Sequence, residues 1–327
     1  MTPQAIATSE AFQLPTLPEL VSGLRQALAD AGTGTTCEII DRQPLAHAST
    51  FASEILTCTI NGEEVRLLGK YGGVTARHTD HGSRGCVPYE AKVYQVLLPG
   101  LGVTAPRCFG ASEDPTTGHR WLFLQYLDGS QQVQKLPEEE GVGAAAQWAG
   151  RFHAAGALAA APSWVIRYDE PFYQGWVDRT LANAGEWRRQ LPWLEPLCHR
   201  AMESLRALLH EPTLIHGEFY PRNILEQGGT IYPVDWESAA IGAGEIDLAA
   251  LTEGWSNETV HACLQRYGRA RWPQGTPAQA FERRFIAARL YNAFRWLGAR
   301  PEWAAYPRAR GRFNELRVAG QHAGLVA

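Results

Sequence analysis

The sequence has no excess of positive charge, no long apolar run and no paired-cysteine spacing. Thirty Lys and Arg face 34 Asp and Glu, for a formal net charge of −4. Without a basic field to neutralise phosphate backbones, nucleic acid is not an expected partner. No apolar stretch approaches the roughly 20 residues that a membrane-spanning helix needs. The longest alanine-rich stretch, residues 144–161, is interrupted by Gln147, Arg151, Phe152 and His153. Residues 1–20 lack a basic start followed by an apolar core, so no secretory leader and a cytoplasmic location are expected. The six cysteines (Cys37, Cys58, Cys86, Cys108, Cys198, Cys263) are scattered singly, which excludes a Cys-x-x-Cys zinc site. The chain is also too long to depend on disulfide staples, and buried, reduced thiols are the simplest expectation. Internal repeats and low-complexity linkers are missing as well.

What is present is an ordinary globular composition of 327 residues, 45% hydrophobic and 20% charged, with room for one large two-lobed domain or two ordinary ones. Residues 18–31 show helical spacing of Leu20, Leu24 and Leu28 before Gly32. Residues 37–40, 54–60 and 64–70 read as strands, with Asn61-Gly62 a hairpin turn between the last two. Helical spacing returns over 88–98, and 121–126 reads as a short apolar strand. Beyond Gly129 the pattern becomes mainly helical: 144–159, 178–190, 196–210, 245–254, 257–267 and 277–297. Three short strands, 214–215, 224–226 and 231–234, interrupt it. The expected architecture is α+β in two lobes, a β-rich one over 1–127 and a helical one over 128–327, with a ligand crevice between them.

One short segment concentrates the chemistry. His216-Gly217-Glu218 is followed by Asn223 five residues after the acid and by Asp235-Trp236-Glu237 twelve residues after the Asn. Phosphoryl transfer from ATP needs a carboxylate to orient a hydroxyl, and an amide plus a second carboxylate to hold magnesium. Magnesium prefers oxygen ligands and few protein contacts, which fits one amide and one carboxylate.

The pattern resembles the aminoglycoside phosphotransferase and choline kinase-like family, which shares the protein-kinase fold and carries His-Gly-Asp-x-x-x-x-Asn followed by Ile/Val-Asp-Trp/Phe-Glu. This chain departs from it in having Glu218 where an Asp stands. The resemblance implies that Glu218 is the catalytic acid, that Asn223 and Asp235 bind magnesium, and that His216 braces the loop. It also implies a lysine on the third strand of the first lobe paired with a glutamate on the next helix. Lys70 is the only lysine in the first 91 residues, and Glu90 is suitably placed. Their expected role is to meet the α- and β-phosphates of ATP. The phosphate-covering loop falls at 43–53, which contains no glycine; Ser49 is the candidate there, beside the alternative of a plain β-turn. Gln125 and Leu127 fall in the hinge that would meet adenine through backbone groups. Asp247, in Gly244-Glu245-Ile246-Asp247-Leu248-Ala249, would brace the catalytic loop, unless it serves only to favour a helix N-terminus.

Asp235 and Asp247 are only twelve residues apart, which leaves no room for the peptide platform of a protein kinase. The expected acceptor is therefore a small-molecule hydroxyl. Candidate walls are residues 168–176, including Tyr173 and Trp176, and the helix carrying Tyr291, Asn292, Arg295 and Trp296, with Glu237 and Arg222 nearer the loop. Helical aromatic stripes are also the usual material of a core, and Arg222 is equally a solvated loop arginine. His78 and His81 lie in a polar loop without a third ligand and make a weak metal site. An alternative function is a catalytically silent nucleotide-binding protein acting through a partner. Whether ATP or GTP is the donor, and the oligomeric state, are not legible.

Overall fold

A computed structural model describes residues 14–34, 36–45, 51–72, 86–156, 161–299, 301–302 and 309–327. The chain divides into two compact units, one of residues 1–100 with 105–129, the other of 101–104 with 130–327.

The first unit is built on an antiparallel sheet of five strands: β1 (Cys37–Pro44), β2 (Ala52–Ile60), β3 (Glu63–Gly72), β4 (Cys108–Glu113) and β5 (Arg120–Gln125), in the order β1-β2-β3-β5-β4. Asn61 and Gly62 both have positive φ, 50° and 88°, so the turn joining β2 to β3 follows the right-handed twist of its strands. Helix α1 (Leu17–Ala31) begins where the Glu19 carboxylate accepts the Thr16 N–H at 2.8 Å and ends at left-handed Gly32. Its apolar stripe of Leu20, Leu24 and Leu28 closes against Leu56, Cys58, Leu67 and Phe123 of the sheet. Helix α2 (Val87–Lys92) continues through a wider π turn over Val93–Leu97. Sequence reasoning did not foresee β4, nor the buried Glu54, whose carboxylate takes both Nε and Nη2 of Arg42 and the Tyr71 hydroxyl at 2.7–2.8 Å.

The second unit is mostly helical: α3 (Ala144–Ala155), α4 (Glu170–Asn183), α5 (Trp187–Gln190), α6 (Leu194–Leu205), α7 (Glu245–Leu251), α8 (Asn257–Arg271), α9 (Ala278–Gly298) and α10 (Ala309–His322). Short strands interrupt the helices. β7 (Thr213–Ile215) pairs with β10 (Ala240–Gly242), and β6 (Gln131–Gln132), β8 (Ile224–Gln227) and β9 (Thr230–Pro233) form a small antiparallel sheet. The long helix α9 packs against α4, α6, α7 and α10 and buries Phe281, Phe285, Leu290 and Phe294.

Two expectations shift here. The helix read at 178–190 starts at Glu170, because the Asp169 carboxylate caps the Phe172 N–H at 2.9 Å and Pro171 fits the first turn. It then breaks at Gly185 (φ 53°) before α5. Helix α10 lay unread in a segment of mixed charge. None of the six cysteines is in a disulfide, and burial pushes the thiols of Cys58 and Cys198 up to about 12. No helix among the described residues is long and apolar enough to cross a membrane.

Candidate active site

The β7–β10 pair and the β8–β9 hairpin bring residues 216–223 and 234–239 side by side. Gly217 lies at φ 80°, and a Cβ there would stand 2.2 Å from the Ser238 carbonyl oxygen, so a side chain at this position would push the two segments apart. Asp247, fully buried near the start of α7, accepts the His216 N–H at 2.7 Å through Oδ2 and the Gly217 N–H at 2.8 Å through Oδ1. Each such charge-assisted bond is worth about 1.5–3 kcal/mol, enough to fix the loop backbone. The His216 imidazole uses both nitrogens on the same loop: Nε2–H donates to the Val234 carbonyl at 2.9 Å and Nδ1 accepts the Glu218 N–H at 3.3 Å. That pattern requires one neutral tautomer, and burial lowers the imidazole pKa in the same sense.

Glu218, Asp235 and Glu237 each present a carboxylate oxygen within 4.8 Å of the others. Asp235 sits in the left-handed region at φ 69°, ψ 57°, a conformation that aspartate tolerates better than most residues and that turns it out of the strand line. Asn223 donates Nδ2–H to the Glu218 carbonyl at 3.0 Å, which leaves Oδ1 as its ligand-capable atom. The donors are therefore all oxygen, the set a hard divalent cation selects.

Glu218 has a partner that the sequence did not reveal. Arg295, on α9, donates Nη1–H to the Gly217 carbonyl at 2.5 Å and Nη2–H to the Glu218 carboxylate. Its side chain is 10% exposed against 25% for Glu218. Burial opposes the Arg295 charge, but Glu218 and the neighbouring hydroxyls of Tyr220, Tyr291 and Tyr168 outweigh it and hold the guanidinium protonated. Arg295 was expected in the acceptor wall; its guanidinium is turned to the loop of Gly217 and Glu218 instead.

Behind the loop runs a buried polar chain. The His153 imidazole contacts Asp247 Oδ2 at 3.1 Å and the Tyr267 hydroxyl at 2.9 Å, and Arg271 donates to that hydroxyl at 2.6 Å. Arg271 and Arg284 then share Glu245 at 3.3 and 2.8 Å. Gly244 makes room for this meeting, since a Cβ there would lie 2.6 Å from both His153 and Tyr267. The sequence signal for it was two acids, Glu245 and Asp247, inside an otherwise apolar helix start.

The other acceptor candidates separate sharply. Tyr173, Trp176 and Tyr291 are closed into an aromatic cluster with Tyr168 and Phe172, with Tyr173 and Tyr291 edge to face at 5.3 Å and both fully buried. They face the α4–α9 contact and are core, not wall. Glu237 is buried beside Asp235 and belongs with the loop carboxylates. Arg222 lines the cleft of the second unit, a cavity of about 780 Å³. Its other walls come from Asn292, which the sequence named, and from Arg289 and α10, which it did not.

In the first unit, Lys70 Nζ meets Glu90 Oε2 at 2.6 Å with both side chains almost wholly buried. Gln125 closes β5: its N–H donates to the Arg107 carbonyl at 2.8 Å and its Oε1 accepts the Arg107 N–H at 3.2 Å. Leu127 lies two residues on and is buried. Ser49, His78 and His81 lie outside the described residues.

Comparison with known proteins adds the family. A model of the phosphotransferase enzyme family matches residues 68–283. Among solved structures, choline kinase LicA from Streptococcus pneumoniae is 13% identical with a TM-score of 0.56, covering 88% of this chain and 94% of that one. A ternary complex of APH(2")-IIa with streptomycin and ATP is 14% identical with a TM-score of 0.57, covering 95% and 99%. The GDP complex of wild-type aminoglycoside 2'-phosphotransferase-IIIa is 13% identical with a TM-score of 0.59, covering 87% and 93%. A sequence search of curated proteins finds no significant match. With the family pattern spanning most of its length, the chain belongs to the phosphotransferase enzyme family and has a protein-kinase-like fold.

Proposed function

We propose that the chain is an ATP- and magnesium-dependent kinase that moves the γ-phosphate to a hydroxyl of a small molecule, such as an amino-sugar, a sugar, an amino alcohol or a natural product. The observation that carries this reading is the approach of the Glu218, Asp235 and Glu237 carboxylates to within 4.8 Å on a loop pinned by Asp247. In the proposed step the acceptor oxygen forms the new P–O bond, the bridge to the β-phosphate breaks, and ADP leaves. Glu218 orients the acceptor hydroxyl and takes its proton late. Asn223 Oδ1 and Asp235 would hold magnesium, whose charge offsets that of the transferring phosphoryl group. Lys70, fixed by Glu90, would meet the nucleotide phosphates. The short interval between Asp235 and Asp247 supports a small acceptor: a single turn, β10 and the first turn of α7 fill it, leaving no peptide platform.

A screen of hydroxyl compounds for ADP release, with mass spectrometry for a gain of one HPO₃, tests the reading. Glu218→Gln should lower turnover by about 10²–10⁴-fold while ATP binding by titration calorimetry stays near the parent value. Normal turnover by that variant would remove Glu218 from the mechanism. The Arg295 contact favours a second reading, since it sets a cation directly on the carboxylate that would receive the proton. ATP binding without ADP release for any compound would identify a silent nucleotide-binding member acting through a partner.

A further inference from the structure

We infer that the cleft of the second unit takes an acceptor bearing an anionic group, a carboxylate or a phosphate monoester, alongside the hydroxyl to be phosphorylated. The inference rests on the phosphotransferase reading and narrows its substrate class.

The ionisable side chains lining the cleft are Arg222, Glu253, Arg289, Arg312, Glu315 and His322. The two acids are already engaged. Arg312 donates to Glu253, and its Nη1 lies 2.8 Å from Glu315. A cationic acceptor, such as an amino-sugar or a quaternary amine, would meet carboxylates whose charge Arg312 already offsets in part.

The two other arginines have no such partner among the described residues. Arg289, on α9, stands with its guanidinium 5.4 Å from the Phe285 ring centroid and meets no carboxylate among the described residues within ion-pair distance. Burial lowers its pKa and Glu253 opposes this only in part, so an anion would relieve the remaining desolvation. Arg222 follows Pro221 in the catalytic loop and stacks on the Tyr220 ring at 4.3 Å. It too has no carboxylate partner among the described residues. Both arginines thus keep planar donor forks open to the cleft, the arrangement that recognises carboxylate and phosphate bidentately. Around them Gln134, Asn292 and Asn314 supply amides suited to hydroxyls. At about 780 Å³ the cleft is large enough for a polyhydroxylated acid.

The test is calorimetric titration of the full chain, with AMP-PNP and magnesium present so that nucleotide-binding groups are occupied. The probes are D-gluconate and D-glucose 6-phosphate as anions, D-sorbitol as the neutral control, and D-glucosamine and choline as cations. At least one anion should bind roughly tenfold or more tightly than the neutral and cationic probes. Which one does so separates carboxylate from phosphate recognition. Arg289→Gln and Arg222→Gln should each weaken that anion at least about fivefold with AMP-PNP affinity unchanged. Tighter binding of glucosamine or choline, anion binding untouched by both variants, or no anion binding would each overturn the inference. ADP release measured on the same panel keeps the two readings apart. Arginine-dependent anion binding with no release anywhere would sink the kinase reading and leave the site standing. Release with a cationic acceptor alone would do the reverse.

Discussion

Arg295 holds Glu218 from the far side of the sequence: one guanidinium binds both the carbonyl of Gly217 and the carboxylate of Glu218. This fixes the longer side chain that replaces the family's aspartate. The extra methylene, about 1.5 Å of reach, is set by an anchor on α9.

Shortening that side chain should therefore harm the enzyme rather than restore a family norm. Glu218→Asp withdraws the carboxylate from Arg295 by about one bond, and a displacement near 1 Å can cost about 10²-fold in rate. We expect kcat to fall by roughly that factor with the KM for ATP little changed. Steady-state kinetics would contradict the anchoring role if the aspartate variant were as fast as the parent.

Arg295→Gln removes the anchor itself. Glu218 keeps some contact with water, so the stability cost should be below that of a sealed ion pair, about 2 kcal/mol by urea denaturation. The kcat should drop more than the affinity for nucleotide. An unchanged kcat would show that the ion pair serves the fold alone.

Lys70 and Glu90 make a sealed pair, and breaking it from one side should be costly. Lys70→Met alone should lose about 3–5 kcal/mol, because Glu90 stays buried without its cation. The double variant Lys70→Met with Glu90→Leu should recover most of that stability while turnover stays lost. Thermal melts of the four proteins in the cycle decide this, and a double variant as unstable as the single one would argue against the pair as described.

Acid should weaken the fold through His153 and His216. Burial lowers both imidazole pKa values from 6.5, so below that pH the unfolded chain binds protons that the folded one refuses. Stability then rises with pH across this window and is lost as pH falls from about 6.5 toward the folded values. The slope is at most about 1.4 kcal/mol per pH unit for each histidine. Urea denaturation at pH 7.5, 6.5 and 5.5 measures it, and His153→Gln should remove about half of the slope. A flat profile would mean that the buried imidazoles are protonated in the native state.

The clustering of Glu218, Asn223 and Asp235 was legible in the sequence because these residues are local: they flank one hairpin, and their spacing survives without knowledge of the fold. Lys70 with Glu90 was legible for a related reason, a lone strand lysine followed by a helix glutamate. Arg295 was visible as a residue but not in its role, since nothing in a sequence says which face of a 21-residue helix meets a loop 77 positions earlier. Tyr173, Trp176 and Tyr291 illustrate the converse, because an aromatic stripe reads the same whether it lines a pocket or fills a core. The cleft wall on α10 was missed because the buried stripe of that helix carries only two large apolar residues, Phe313 and Leu316, among small ones. The start of α4 was placed eight residues late because the cap at Asp169 lies outside the apolar pattern.

Helix α9 presents Arg295 to the Gly217–Glu218 loop and Arg289 and Asn292 to the cleft, with only six positions, roughly 9 Å of helix, between the first and last of these. Selection for a new acceptor is then offered two unequal walls. Substitutions along α9 that shift or tilt the helix would disturb the anchor of Glu218 and tie any gain in acceptor range to a loss of rate. Substitutions at Asn314 or His322 on α10, which makes no hydrogen bond to the catalytic loop among the described residues, carry no such tie. Divergence of acceptor preference among proteins sharing this arrangement should accumulate first on α10.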